Sequence, residues 1–326
     1  MKAGILRRLR EAQDYISGQQ LCEEFEVSRT AIWKVIHQLK EEGYHVDAVR
    51  NKGYRIIAYP DSMSAEAVGS RLTTKWAGSS IAYFEEIDST NSYAKKLGEQ
   101  GSSHGTLVIA ERQDSGKGRR GRTWESPAGG NIYMTILLRP EIEPGKAPML
   151  TLVMAHSVAV AIRRQIGLEA QIKWPNDIIV GKKKVCGILT EMSAEIDYIN
   201  HVIIGVGINT NIENIPEGLL EKATSLAREA GKQIERDALA AEIMNQFERD
   251  YEWFMETCDL SQISKEYNEM LVNAGKEVRI HENNAEYQAL ALGINNNGEL
   301  VIEKEDGSKA EIFAGEVSVR GIYGYV

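Results

Sequence analysis

Short amphipathic segments separated by turn residues fill the first sixty positions of the chain. Apolar residues recur at helical spacing before residue 12 and again within residues 28–42, and Ser17-Gly18-Gln19-Gln20 has the form of a capping box. Gly43 is placed to end the longer helix, and two β-rich runs then flank Arg50-Asn51-Lys52-Gly53. Short helix, tight turn, longer helix and hairpin together predict a helix-turn-helix with a wing.

The longer of these helices carries polar and cationic residues away from its apolar stripe. Recognition helices enter the major groove by their N-terminal end, and cations in a wing neutralise phosphates, so this face is predicted to bind DNA. The candidate DNA-binding residues are Arg29, Thr30, Trp33, Lys34, Arg50 and Lys52. The alternative is a small helical domain with a solvated charged face.

Helical and strand patterns alternate through residues 63–270. Residues 105–111 form an apolar strand, and residues 148–166 form a long apolar helix. The strand-like runs at 178–180 and 185–193 are close enough to be hairpin neighbours, which disfavours an all-parallel sheet. The predicted fold class is α/β (α+β), with a mixed central sheet.

The pattern changes again after residue 273, where short strands such as 286–294 and 310–314 are separated by tight turns. This pattern predicts a small antiparallel β-barrel. We therefore expect three domains: a winged helix-turn-helix at residues 1–62, a mixed-sheet domain at 63–272 and a small β-barrel at 273–326.

Composition is that of a globular, multi-domain protein: 326 residues, 43% hydrophobic and 26% charged. Three widely spaced cysteines without a CxxC pair fit reduced thiols and exclude a zinc cage built on such pairs. The N-terminus lacks the apolar run of a secretory signal. The most apolar stretch, residues 150–162, is expected to be too short to span a bilayer.

Charge is distributed unevenly along the chain. The net charge of −9 argues against nucleic-acid binding by the whole molecule. Residues 1–60, however, hold 10 Lys and Arg against 8 Asp and Glu, so the remainder of the chain is the acidic part. The asymmetry agrees with a DNA-binding segment at the N-terminus.

A glycine-rich cationic segment, residues 116–122, follows an apolar strand and fits GxGxxG literally. The residues after it, 122–130, cannot form a crossover helix, so a dinucleotide fingerprint is a weak interpretation. Its glycines let the backbone approach a ligand, and Lys117, Arg119, Arg120 and Arg122 favour a polyanion such as a triphosphate. A flexible basic surface loop is the alternative.

A second unusual string, Lys173-Trp174-Pro175-Asn176-Asp177, places a lysine and an aspartate where both can face a cleft. Lys184 follows it, and no Walker A sequence occurs. Asn209 follows the strand Gly205-Val206-Gly207-Ile208. Its side-chain amide could bind the hydrogen-bonding edge of adenine, and the alternative is an asparagine that only forms a turn.

The chain resembles the biotin–protein ligases over essentially its whole length. It contains, in the family's order, the strings DSTN (88–91), ERQDSGKGRRGRTW (111–124), GGNIY (129–133), KWPNDI (173–178), KVCGIL (184–189) and GVGIN (205–209). Its N-terminal segment resembles the bifunctional members, which also repress biotin operons.

The resemblance implies an ATP- and Mg²⁺-dependent enzyme that activates biotin to biotinyl-5′-AMP, releases pyrophosphate and transfers biotin to a lysine of a carrier domain. The implied acceptors are the biotin carboxyl carrier protein of acetyl-CoA carboxylase and other biotin-dependent carboxylases. The same resemblance implies a cytoplasmic homodimer that binds operator DNA with biotinyl-5′-AMP as corepressor, and no membrane association.

Site residues carry over by position. The resemblance implies biotin contacts from Ser89, Thr90, Asn91, Gln113, Gly116, Lys117, Arg119, Lys184 and Gly187. It implies ATP or adenylate contacts from Lys117, Arg119, Arg120, Arg122, Trp124, Lys173, Asn176 and Asn209. The implied catalytic residues are Arg119, Lys184 and Asp177, the last to orient or deprotonate the acceptor lysine. Lys117 departs from the family's usual arginine and loses its planar fork.

Two other functions remain open from the sequence. A lipoate or octanoate ligase shares the catalytic fold, but the basic loop, KWPND and the DNA-binding segment disfavour it. A ligand-sensing transcription factor without catalysis is disfavoured by the intact basic loop and by Lys184.

Overall fold

In the computed structural model, which describes residues 1–213, 215, 218, 220–282, 285–313 and 318–321, the N-terminal segment is the predicted winged helix-turn-helix. Its elements are α1 (Lys2–Glu11), α2 (Gly18–Glu24), α3 (Arg29–Glu41), β1 (His45–Val49) and β2 (Gly53–Ala58). The capping box at Ser17 forms, since its hydroxyl accepts from the Gln20 N–H while its own N–H donates to Gln20 Oε1. Ser28 caps α3 by accepting from the Ala31 N–H.

Close packing beside the tip of the wing requires glycine. Gly53 has a φ of +116°, and a Cβ built on it would lie 1.9 Å from the Ile16 carbonyl oxygen. The Tyr54 and Ile16 backbones exchange hydrogen bonds there, so β2 is attached to the segment that leads into α2. The wing is therefore held against the helices that it flanks.

The central domain is a seven-stranded mixed sheet, which confirms the predicted class. Its strands are β3 (Ile81–Ile87), β4 (Thr106–Gln113), β5 (Ile132–Leu138), β6 (Gln171–Lys173), β7 (Asp177–Val180), β8 (Lys183–Ala194) and β9 (Ile199–Ile208). Their spatial order is β3-β4-β5-β9-β8-β7-β6. The β3–β4 pair is parallel, and the pairs from β4 through to β6 are antiparallel, including the predicted β7–β8 hairpin.

Helices cover both faces of this sheet. They are α4 (Ala65–Gly69), α5 (Thr90–Glu99), α6 (Met149–Ile166), α7 (Leu226–Ala230), α8 (Arg236–Thr257) and α9 (Ser264–Met270). Neighbouring residues on one strand point to opposite faces, so Val108 packs under α5 while Leu107 and Ile109 join the large core with α6 and α8. The central strands are therefore buried on both sides.

Helix α6 corrects one expectation from the sequence. With the turn before it, residues 144–166 are long and apolar enough to cross a membrane by length and composition. In the fold, 78% of that apolar window is buried inside the protein. The helix is apolar because it packs between the sheet and α8 in the core.

The C-terminal unit is a five-stranded antiparallel sheet, which confirms the predicted antiparallel strands. Its strands are β10 (Lys276–Glu282), β11 (Ala285–Ile294), β12 (Leu300–Glu303), β13 (Lys309–Ile312) and β14 (Ser318–Gly321), in the order β13-β12-β11-β10-β14. The predicted barrel is not confirmed, because in the described residues β13 and β14 lie at opposite edges and do not pair. Ala314, in the predicted strand 310–314, lies outside the described residues. Trp174 joins this unit to the central domain, because its indole N–H donates to the Gly298 carbonyl at 3.0 Å.

Candidate active site

A cavity opens between the N-terminus of α5, the end of β4, the basic loop that follows β4, and strands β8 and β9. Ten of the residues predicted from the sequence line it: Ser89, Thr90, Asn91, Gln113, Lys117, Arg119, Trp124, Asn176, Lys184 and Gly187. The other lining residues are Gly118, Ile188, Leu189, Gly205, Val206 and Gly207. Segments about a hundred residues apart in sequence therefore meet at one site.

The basic loop is folded back on itself over this cavity. The Gly118 N–H donates to the Arg122 carbonyl at 2.7 Å, and the Trp124 N–H donates to the Gly116 carbonyl at 2.9 Å. A Cβ at Gly116 would lie 2.3 Å from the Trp124 carbonyl oxygen, so a side chain there would open this turn.

Arg119 connects the loop to the opposite wall. Its Nη1 donates to Asn176 Oδ1 at 2.8 Å, and the Asn176 amide donates in turn to the Ile188 carbonyl at 3.1 Å. Burial, and then the positive charge of Arg120, lowers the pKa of the Arg119 guanidinium. The group still remains charged, because a guanidinium is not deprotonated in proteins. A partly desolvated cation therefore faces the cavity.

Lys184 supplies a second cation. Its Nζ lies 2.6 Å from Asp177 Oδ1 and 5.2 Å from the centre of the Trp124 ring. The Lys184 backbone is held on its other side, because its N–H donates to the Lys222 carbonyl and its carbonyl accepts from the Thr224 N–H. The ammonium is thus fixed in position. Asp177 does not line the cavity but holds Lys184, which does, through this ion pair.

Trp124 lies against the two central strands where both carry glycine. Gly187 on β8 is paired with Gly207 on β9. A Cβ at Gly207 would lie 2.6 Å from Trp124 Nε1, and one at Gly187 would lie 3.0 Å from the same ring. Among the described residues, the buried Trp124 indole N–H has no hydrogen-bond partner. The paired glycines make room for the indole, and its N–H is a donor at the edge of the cavity.

A polar network closes the end of the cavity at α5. Gln113 Oε1 accepts from both the Thr90 N–H (2.9 Å) and the Thr90 hydroxyl (3.1 Å). The Gln113 amide donates to Ser126 Oγ at 2.9 Å, and that hydroxyl donates to the Trp124 carbonyl. The network therefore ties the start of α5 to the segment that leaves the basic loop.

Sequence reasoning missed several members of this site: Ser126, Thr135, Glu191, Gly205 and Gly207. For the two glycines a signal existed, since glycine inside a strand marks close approach by another group. For Thr135 the signal was a single threonine among the aliphatic and aromatic residues of the strand Ile-Tyr-Met-Thr-Ile-Leu-Leu. Nothing local marked Ser126 or Glu191.

Other residues predicted from the sequence lie outside the cavity. Arg120 lines an adjoining groove, and the Arg122 side chain is exposed. Lys173 is buried at the end of β6, and Gly116 is buried at the start of the basic loop, against the Trp124 carbonyl. The Asn209 amide donates to the Thr224 carbonyl at 3.2 Å, which fixes the turn after β9. Their predicted ligand contacts remain predictions.

The predicted DNA-binding residues form one exposed surface. Arg29, Thr30, Trp33 and Lys34 are exposed on α3, and Arg50 and Lys52 are exposed at the tip of the wing. Trp33 belongs to this surface, since 57% of it is exposed and its ring stacks on His37 with centroids 5.2 Å apart. Arg29 donates to Gln19 Oε1, which connects the start of α3 to α2.

Comparison with protein families gives three matches along the chain. Residues 3–55 match the HTH domain, residues 83–209 match the Biotin/lipoate A/B protein ligase family, and residues 274–320 match the Biotin protein ligase C terminal domain. The middle match contains all the cavity-lining residues.

Individual relatives match nearly the whole chain. It is 38% identical over 308 residues to the bifunctional ligase/repressor BirA of Bacillus subtilis and 32% identical over 308 residues to that of Escherichia coli, and each alignment covers 94% of both proteins. Among solved structures, the biotin protein ligase from Aquifex aeolicus in complex with biotin and ATP superposes with a TM-score of 0.66 at 29% identity. The superposition covers 74% of this chain and 99% of the Aquifex aeolicus chain.

Proposed function

Because the chain belongs to the bifunctional ligase/repressor family of biotin protein ligases, we propose that it activates biotin with ATP and transfers it to a carrier-domain lysine. One observation carries the proposal. A single cavity has a neutral hydrogen-bonding end at Thr90 and Gln113 and a cationic end at Arg119 and Lys184. That polarity matches a ligand with a ureido ring at one end and an activated carboxylate at the other.

The neutral end suits the ureido ring. Backbone and side-chain groups at the start of α5 and on Gln113 provide acceptors for N–H groups and donors for a carbonyl oxygen. Between the two ends, Ile188, Leu189 and Val206 line the cavity with apolar side chains, which suit the bicyclic ring and the aliphatic chain.

The cationic end suits adenylation. A carboxylate oxygen of biotin attacks the α-phosphorus of ATP, the bond to the β-phosphate oxygen breaks, and pyrophosphate leaves with the electron pair. Negative charge accumulates on the phosphate oxygens, and Lys184 and Arg119 are fixed cations that stabilise it. No side-chain nucleophile is needed for this step.

Mg²⁺ is part of the proposal through the nucleotide. The described residues include no group of three acidic, histidine or cysteine side chains arranged to hold a metal. A Mg²⁺ ion would be bound mainly through the triphosphate, and the Asp177 carboxylate beside Lys184 would be a candidate protein group near it. Such an ion would supply further neutralisation of phosphate charge.

In the second step the acceptor lysine attacks the carbonyl carbon of biotinyl-5′-AMP, and AMP leaves. The attacking amine must be neutral, so it must lose its proton to a base. The sequence suggested Asp177 for that role. Its 2.6 Å ion pair supports a different contribution, in which Asp177 orients Lys184. We propose that the acceptors are carrier domains of biotin-dependent carboxylases and that the protein acts in the cytoplasm.

The same chain is proposed to repress biotin genes. The exposed face of α3 and the wing tip support operator binding, with biotinyl-5′-AMP as corepressor. A homodimer would present two recognition helices to two operator half-sites, because half-site spacing must match the symmetry of the protein.

Biotin-dependent ATP–pyrophosphate exchange tests the enzymatic function, with lipoate and octanoate as alternative acids. We expect exchange with biotin alone. Exchange that requires lipoate or octanoate would move the protein to the related ligases. Absence of exchange with every acid, from folded protein supplied with Mg²⁺, would leave a DNA-binding sensor as the function.

Lys34→Ala tests the DNA surface against the matched control Lys40→Ala. Both lysines are exposed on α3, but Lys34 is near its N-terminal end and Lys40 is in its last turn. We expect Lys34→Ala to weaken binding to the promoter fragment of a biotin gene roughly tenfold. The slope of the logarithm of the binding constant against the logarithm of salt concentration should become shallower by about one. Fluorescence anisotropy at several salt concentrations measures both. Equal effects of the two variants would contradict this assignment.

A further inference from the structure

A hydroxyl group lies in the most deeply buried strand of the central sheet. All seven residues of β5 are buried, and Thr135 is fully inaccessible. A hydroxyl in such a place is costly unless it is hydrogen-bonded. Thr135 Oγ1 lies 2.8 Å from Thr90 Oγ1 and 2.8 Å from Asn91 Oδ1, so it contacts two residues that line the cavity. Thr135 itself does not line it.

The direction of each hydrogen bond follows by elimination. The Asn91 amide nitrogen lies 2.7 Å from the Glu191 carboxylate, which accepts only, so the other Asn91 atom is the carbonyl oxygen. A carbonyl oxygen cannot donate. The single proton of Thr135 is therefore committed to Asn91 Oδ1, and Thr135 can only accept from Thr90.

The same reasoning applies to Thr90. Its hydroxyl has one proton and two protein acceptors, Thr135 Oγ1 at 2.8 Å and Gln113 Oε1 at 3.1 Å. Gln113 keeps its oxygen towards Thr90, because its amide nitrogen donates to Ser126 Oγ. Either choice directs the Thr90 proton into the protein, which leaves an oxygen lone pair for a ligand in the cavity.

We propose that Thr135 is a positioning residue that, as the nearer of two protein acceptors beside Gln113, keeps Thr90 a hydrogen-bond acceptor toward the substrate. The inference rests on the proposed function and deepens it, because it selects for a substrate with an N–H donor at this end. The ureido ring of biotin has such donors, whereas the dithiolane ring of lipoate and the alkyl end of octanoate have none.

The backbone around this set agrees with a fixed arrangement. Gly205 faces the Asn91 side chain, and a Cβ there would lie 2.0 Å from Asn91 Oδ1. Any larger residue would displace the amide that fixes the Thr135 proton. Gly205 on β9 and Thr135 on β5 therefore belong to one hydrogen-bond network around Asn91.

Thr135→Val removes the hydroxyl at nearly constant volume and is compared with Thr135→Ser, which keeps it. Thr106→Val is the matched control, because Thr106 is a buried threonine on β4 whose hydroxyl donates to the Ser103 carbonyl at the far end of the strand. Biotin affinity is measured by isothermal titration, and biotin and ATP KM values by pyrophosphate exchange. We expect Thr135→Val to raise the biotin Kd about tenfold with the ATP KM unchanged, and Thr135→Ser to restore it.

The ratio of the affinity for biotin to the affinity for an analogue methylated at a ureido nitrogen distinguishes a positioning role of Thr135 from a general loosening of the core. The wild-type preference for biotin should shrink several-fold in Thr135→Val, because the Thr90 hydroxyl then loses the nearer of its two protein acceptors, at 2.8 Å, and keeps only Gln113 Oε1, at 3.1 Å. An unchanged biotin Kd and unchanged discrimination in folded Thr135→Val would overturn the proposal, while wild-type exchange with biotin would still support the ligase function. If Thr135→Val does not fold, Thr135→Ala is tested against Thr135→Ser by the same measurements.

Discussion

Lys184→Ala is expected to slow formation of biotinyl-5′-AMP by at least ~10²-fold, the usual cost of removing one fixed group that stabilises transition-state charge. The loss has two physical sources. The ammonium no longer meets the charge that develops on the phosphate oxygens. The carboxylate of Asp177, 2.6 Å from Lys184 Nζ in the wild type, also becomes an unpaired negative charge beside an anionic substrate.

Single-turnover formation of labelled adenylate by rapid quench measures this loss. Lys182→Asn is the control, because Lys182 is at the tip of the β7–β8 hairpin with a φ of +67°, which asparagine tolerates. We expect its rate to match the wild type. A near-normal rate for Lys184→Ala would remove Lys184 from the reaction.

The double variant Lys184→Ala/Asp177→Asn separates the two sources of the loss. If the unpaired carboxylate contributes, removing its charge recovers part of the adenylation rate. If the double variant is slower than Lys184→Ala alone, Asp177 acts on the substrate independently of its ion pair. Adenylation rates for all four combinations give the coupling between the two residues.

Arg119→Gly is expected to release biotinyl-5′-AMP from the cavity and to increase biotin labelling of bystander lysines at least tenfold. The Arg119 guanidinium joins the basic loop to Asn176 across the cavity at 2.8 Å. A hydrogen bond from a charged group contributes about 1.5–3 kcal/mol, so its loss predicts roughly 10- to 150-fold faster escape. The free mixed anhydride then reacts with any neutral lysine.

Labelling of bovine serum albumin, read by streptavidin blot, measures this escape. Arg112→Ala is the control, because Arg112 is exposed and pairs with Asp114 and Glu86 outside the cavity. Asn176→Ala removes the other half of the bridge and should give an intermediate increase. No increase from Arg119→Gly, with adenylation intact, would contradict a retention role.

Local signals in the sequence determined the elements and much of the site list. Capping residues such as Ser17 and Ser28 act on backbone groups within one helical turn, so the helix starts could be read without the fold. Strand spacing gave the β7–β8 hairpin and the mixed sheet for similar reasons. The motif strings gave Lys184, Arg119 and Thr90, because these residues belong to short segments with a fixed order along the chain.

Only the tertiary structure decided which of these residues act together. Strand register and loop closure decide three contacts of the site: the Asp177–Lys184 ion pair, the packing of Trp124 on Gly187 and Gly207, and the hydrogen bonds of Thr135. The same holds for α6, whose composition alone fits either a membrane or a core. Contacts between residues distant in sequence depend on how strands and helices pack, so residue types and spacing along one chain do not specify them.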